Sequence, residues 1–172
     1  MRTPIRVLTS SLLVWATACS GGAALTPADV VDLPPGTATG TAASGTYDLE
    51  LYTVACRGQC MVRNGNLTGS ACDVGEVDTA ILAVTQRDGA LDMDADGLIF
   101  ERLDGGLDAD GRFTVGGYAT AQAGAVIAMV LADGALTAEG FTGTATQRAH
   151  GSASGLDFDC TAELELTGRR LR

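Results

Sequence analysis

The sequence predicts an all-β domain: an antiparallel meander of about eight short strands, closed into a small barrel or folded as a two-layer sandwich, and braced by disulfides. Three observations carry this. Apolar and polar residues alternate with a period of two through much of residues 45–172, an Asp-Gly motif recurs as a turn signal, and four cysteines follow an export signal.

The alternation is clearest near the C-terminus, where Phe158, Cys160, Ala162, Leu164 and Leu166 interleave with Asp157, Asp159, Thr161, Glu163, Glu165 and Thr167. Successive side chains of a strand point to opposite faces, so this pattern belongs to a half-buried strand. Tyr47, Leu49 and Leu51 alternate with Asp48 and Glu50, Phe113 and Val115 begin a third case, and Phe141, Gly143 and Ala145 oppose Thr142, Thr144 and Thr146. The runs Ala80 to Val84 and Ala125 to Leu131 are apolar throughout, as in a strand buried on both faces or a short helix; their flanking glycines favour strand.

The turn signal repeats as Asp88-Gly89-Ala90-Leu91-Asp92, Asp104-Gly105-Gly106-Leu107-Asp108 and Asp133-Gly134-Ala135-Leu136-Thr137. Asp-Gly supplies the positive backbone angles of a tight hairpin, so each copy reads as strand, turn, strand, with Asn64-Gly65 as a fourth turn. The copies are too short and too unevenly spaced for a solenoid.

The N-terminus has the parts of a secretory signal: Arg2 and Arg6, an apolar stretch from Val7 to Trp15, then Ala16, Thr17, Ala18 and Cys19. The apolar stretch is shorter than the roughly 20 residues that span a bilayer. Ala16-Thr17-Ala18-Cys19 resembles the lipobox of bacterial lipoproteins, with Ala16 standing where that family usually has leucine. The resemblance implies cleavage after residue 18 and lipidation of Cys19, and Ser20, in place of an aspartate retention signal, implies the outer membrane. Ala-x-Ala is also the pattern of ordinary signal cleavage, which would release a secreted or periplasmic protein. Residues 19–44 are dominated by Gly, Ala, Thr and Pro and are expected to form a flexible linker from the anchor to a single domain at 45–172.

Beyond Cys19 there remain Cys56, Cys60, Cys72 and Cys160, an even number in an exported chain, so two disulfides are expected. A closed barrel with an even strand count sets the end of its first strand beside the start of its last. That suggests Cys56–Cys160 and leaves Cys60–Cys72, one of three possible connectivities. Leu49 and Leu51 are odd-numbered and Cys56 is even, so this scheme requires a bulge near Tyr52 to Val54.

In the mature chain nine arginines and no lysine face 21 carboxylates, a net charge of −12, which excludes nucleic acid and anionic lipid head groups as partners. Asp92, Asp94 and Asp96, followed by Gly97 and Ile99, resemble the first half of an EF-hand calcium loop, but Leu103 stands where the bidentate glutamate belongs. These are candidate ligands of a weak calcium site, against the simpler reading of an acidic, solvated hairpin edge. No other metal or cofactor site is expected. The single histidine, His150, lies near Ser152 and Ser154, but Gly151 to Gly155 has Ala153 where a nucleophile elbow has serine. Asp157 and Asp159 share a strand face and read as exposed charge rather than a glycosidase pair. The expected function is therefore non-enzymatic: a membrane-anchored envelope lipoprotein whose β domain is structural or docks an envelope protein. The alternative is a small-ligand carrier with a lipocalin-like barrel, its cavity lined by aliphatics because the only tryptophan, Trp15, leaves with the signal.

Overall fold

A computed structural model describes residues 24–172, apart from 65–66, 97, 99 and 154. The signal at 1–18, Cys19 and Ser20 lie outside the described residues. The barrel alternative is the correct one. Among the described residues ten strands form: β1 (Gly45–Gln59), β2 (Met61–Asn64), β3 (Leu67–Ser70), β4 (Val77–Arg87), β5 (Ala90–Asp96), β6 (Arg102–Leu107), β7 (Arg112–Ala121), β8 (Val126–Leu136), β9 (Gly140–Ala153) and β10 (Leu156–Arg170). β4 to β10 run as an up-and-down meander, and β1 closes the eight-stranded barrel by pairing with both β4 and β10. β2 and β3 form a separate hairpin inserted between β1 and β4.

The inner face follows the alternation. Tyr47 and Leu49 of β1, Leu82 and Val84 of β4, Leu91 and Met93 of β5, Phe113 and Val115 of β7, and Leu164 and Leu166 of β10 are buried in one core. The run Ala80 to Val84 is buried on one face only, leaving Ile81 exposed.

The other apolar run is buried on both faces. Ala128, Val130 and Ala132 of β8 face the barrel interior, while Met129 faces outward and is 0% exposed. What covers it is the segment expected to be a flexible linker. From Ala24 onward this stretch is an ordered strap, a correction to the expected leash over residues 24–44. Leu25 and Val30 pack on Met129, with Ile127 and Leu131 at the edge. Further on, the Gly36 amide donates to the Gly89 carbonyl (2.8 Å) and the Ala38 amide to that of Leu107 (2.9 Å). Gly89 and Gly106 permit this approach, because a Cβ on either would collide with the backbone at Gly36. A segment poor in large side chains folds because the barrel surface is notched to receive its backbone.

Of the Asp-Gly copies, only Asp88-Gly89 makes a turn, between β4 and β5, with Asp88 at φ 52°. Asp104-Gly105 and Asp133-Gly134 lie inside β6 and β8. Gly134 is needed there for space, since a Cβ would overlap the Phe113 ring. The β6–β7 turn falls instead at Asp108 to Gly111, where Gly111 takes φ 84°. The Asn64-Gly65 hairpin lies partly outside the described residues.

The expected bulge is present, as a register shift between Thr53 and Ala55. It sets Cys56 opposite Ala162 on the inward-facing side of β10, with Gly58 opposite Cys160. Cys56 and Cys160 are thus two positions out of register, about 7 Å along the strands, too far for a bridge. The bonds are Cys56–Cys72 and Cys60–Cys160, with Cα separations of 5.9 and 4.6 Å, exchanging the expected partners. Cys60 lies one residue past the end of β1 and meets Cys160 as the chain turns into β2, while Cys56 takes Cys72 from the segment leading into β4.

Two predictions follow from this packing. Met129→Ala should cost about 2–5 kcal/mol in urea unfolding, as for a core methionine; a near-neutral result would mean that the strap does not cover it. The bridges close loops of 16 and 100 residues. Chain entropy then makes loss of Cys60–Cys160 (about 4.7 kcal/mol) more damaging than loss of Cys56–Cys72 (about 3 kcal/mol) in paired Cys→Ser variants.

Candidate functional site

The barrel has one sealed end and one open end, and its interior is not filled. At the sealed end, Phe113 and Phe141 meet edge to face with ring centroids 5.6 Å apart, and Tyr47 packs on Phe141 at 5.3 Å. Behind them the strap crosses the end of the barrel. Gln86, 1% exposed, accepts the Ala43 amide proton (2.8 Å) through Oε1 and donates to the Asp88 carbonyl (2.8 Å) through Nε2. The Tyr47 hydroxyl donates to the Ala43 carbonyl (2.7 Å). The buried polar groups of this plug thus have partners, so it closes the end without an unpaired group.

Above the two phenylalanines lies a cavity of about 310 Å³. Its wall is mostly aliphatic: Leu49, Leu51, Leu82, Val115, Val130, Leu164 and Leu166, joined by Met93 and a row of small residues, Ala132, Ala145, Ala149 and Ala162. Strands β8, β9 and β10 present these alanines inward, and the absent side-chain volume leaves the space. Leu98, Phe100 and Leu103, from the β5–β6 connection and the start of β6, cover one flank. The polar lining is Thr53, Gln147, Glu76 and Asp78. Thr53, Glu76 and Asp78 belong to the open end: the Thr53 amide donates to the Glu76 carbonyl (2.9 Å), continuing the β1–β4 pairing past Tyr52 and Val77. The Cys56–Cys72 bridge pins this segment, and Cys72 and Ala71 form part of the rim.

The sequence-derived candidates lie elsewhere. Asp92 and Asp94 are on the outer face of β5, whose inward positions are Leu91, Met93 and Ala95; Asp96 is the last residue of that strand. Alternate positions of an extended strand stand about 7 Å apart, so Asp92 and Asp94 do not converge as the first ligands of a calcium loop do, while Gly97 and Ile99 of the motif lie outside the described residues. Arg102 supplies the neutralising charge: Nη2 donates to Asp92 Oδ2 (2.6 Å) and Nε to Asp104 Oδ1 (3.1 Å). The hydrogen bond to Asp104 and then the charges of Asp104 and Asp92 raise this guanidinium further above its ordinary value. His150 and Ser152 are successive outward positions of β9, Ser154 lies outside the described residues, and Asp157 faces solvent.

Asp159 has a structural partner. Arg148 donates to both of its oxygens at 2.8 Å and, through Nη1, to the Leu25 carbonyl (2.9 Å), tying β9, β10 and the strap together. The hydrogen bond from Arg148, and secondarily the charges of Arg148 and His150, hold the Asp159 carboxyl below its ordinary value.

The cavity residues were not singled out by sequence, although a signal existed. Inward positions of three neighbouring strands are alanine where a filled small barrel alternates large and small side chains.

A depressed carboxyl pKa stabilises the fold above the unfolded-state value, near 3.9, and that contribution is lost as pH falls through the lower folded value. Asp159→Asn should therefore lower the urea midpoint at neutral pH by a small, solvent-screened amount, and the difference from wild type should vanish in strong acid. A difference constant across pH would contradict the pairing. Compared with known proteins, the chain matches no family model, no curated protein and no solved structure.

Proposed function

We propose that this is a non-enzymatic, membrane-anchored protein of the bacterial cell envelope that carries a small apolar ligand inside its barrel. One observation carries the reading: the aliphatic cavity of about 310 Å³, at the small end of the roughly 300–1,000 Å³ of ligand pockets. A domain whose only task is to display a surface has no use for a sealed-bottom interior that its side chains leave unfilled, so the cavity moves the balance from a plain interaction module to a carrier. The lining sets the ligand class. An apolar body suits the depth, while Glu76, Asp78 and Thr53 at the rim leave a polar head in water.

Export and anchoring rest on the signal and Cys19, with the two disulfides agreeing with an oxidising compartment. Ser20 favours the outer membrane, with a secreted or periplasmic product as the other outcome of cleavage at Ala16-Thr17-Ala18. An envelope protein that supplies or receives the ligand is the expected partner class.

The test is binding of N-phenyl-1-naphthylamine, whose fluorescence rises on leaving water. Wild type should show saturable enhancement. Ala162→Phe, which fills the space from β10, should weaken binding at least about tenfold, some 1.4 kcal/mol, while melting as wild type does or higher. A folded Ala162→Phe variant that binds equally well sinks the carrier reading.

A further inference from the structure

We infer that the lipid anchor turns the open end of the barrel toward the bilayer, so that the cavity exchanges its apolar ligand with the membrane directly. This rests on the carrier reading and on lipidation of Cys19.

The strap gives the direction. It begins on the open half of the barrel, where Leu25 packs on Met129 and is held by Arg148, and runs to Gly36 at the sealed end. The covalent path from an anchored Cys19 therefore enters the domain on the side of the mouth. Only five peptide steps separate Cys19 from Ala24, a reach of at most about 18 Å. Met129 stands about four strand positions, roughly 14 Å, from the β7–β8 turn at the open end. An acylated Cys19 can reach the plane of the mouth with little length to spare, whereas presenting the sealed end would require the tether to double back along the whole strap.

The two ends differ in the same sense. Five exposed apolar residues lie at the open end, Val74, 65% exposed, with Val54, Val77 and Tyr52 beside the mouth and Met61 on the inserted hairpin, against Leu171 at the sealed end. Charge is exposed at both ends: Arg87, Asp88, Asp108, Arg112, Glu139 and Arg169 at the sealed end, and Arg57, Asp73, Glu76, Asp78 and Glu101 at the open one. Apolar side chains favour the interfacial zone, so the difference between the ends lies in their apolar residues and not in their charge. A net charge of −12 gives no attraction to anionic lipid, so the covalent anchor must supply the holding force, and its point of entry beside the mouth, with the apolar rim residues, the orientation. The occupant of this rim is accordingly a lipid surface, and the ligand leaves the bilayer without crossing water.

The mature chain contains no tryptophan, so single reporters have no background. Val74→Trp marks the open end and Ala138→Trp the β8–β9 turn at the sealed end. Each full-length protein, processed in cells and purified with its anchor, is placed in phosphatidylcholine vesicles containing doxyl-labelled phosphatidylcholine. Val74→Trp should be quenched several-fold more strongly than Ala138→Trp. Inserting about twenty Gly/Ser residues after Ser20 should weaken that preference, because a long flexible tether no longer dictates which end is near. Equal quenching, or stronger quenching at Ala138→Trp, overturns the orientation. An unacylated Cys19 peptide in mass spectrometry overturns it through its anchor. Selective quenching at Val74→Trp without naphthylamine binding in solution would keep the orientation and remove only the carrier.

Discussion

Everything in this domain depends on β1 pairing along both of its edges. Seven strands in a meander make a curved sheet with two free edges, and free edges are sites for aggregation. β1 supplies the missing wall, pairing with β4 from Gly45 to Tyr52 and with β10 from Tyr47 to Gln59. The two pairings differ in length, and that difference makes the mouth. Where β4 has ended, β1 and β10 continue together, and the bulge after Thr53 turns Cys56 to the inside so that its disulfide reaches the segment entering β4. Closure, the asymmetric rim and the placement of both bridges are consequences of one strand being longer than one of its partners.

The strap shows how a segment with few large side chains becomes structural. Its buried apolar contribution is small: Leu25, Val30 and Ala43. The remaining contribution is backbone hydrogen bonding to Gly89 and Leu107, and polar contacts such as the Thr37 amide and hydroxyl, both donating to Asp108 Oδ1 (3.1 Å each). These bonds need the barrel already formed, since no part of the strap buries enough area to order itself. The barrel needs the strap in turn, because Met129 and the sealed end would otherwise face water.

That mutual dependence explains what could be read from sequence. Strand periodicity is local, so the inner and outer faces of β1, β7, β9 and β10 were legible, as was the need for a bulge before Cys56. Composition is a poorer guide. Gly, Ala, Thr and Pro over 19–44 describe a chain unable to fold alone, and say nothing of a neighbouring surface notched at Gly89 and Gly106. The Asp-Gly motif misled for a related reason: inside β8, Gly134 serves the ring of Phe113, a residue 21 positions away in sequence and beside it in space. Cysteine pairing failed by two positions of register, less than parity alone can resolve. The cavity was legible only in aggregate, as alanines at inward positions of adjacent strands.

The cavity also bears on why the domain carries two disulfides. A closed, empty void costs about 24 cal/mol per Å³, so 310 Å³ would cost roughly 7 kcal/mol. That is comparable with the whole stability of an ordinary domain, about 5–15 kcal/mol. Two features offset it. The mouth is open, so water or a ligand can occupy the space. The bridges constrain the unfolded chain by about 3 and 4.7 kcal/mol on the chain-entropy scale, together of the same order as the void. Both bridges attach beside the rim rather than at the sealed end, where Gln86, Tyr47 and the phenylalanines already interlock. Covalent bracing sits where side-chain packing has been withdrawn.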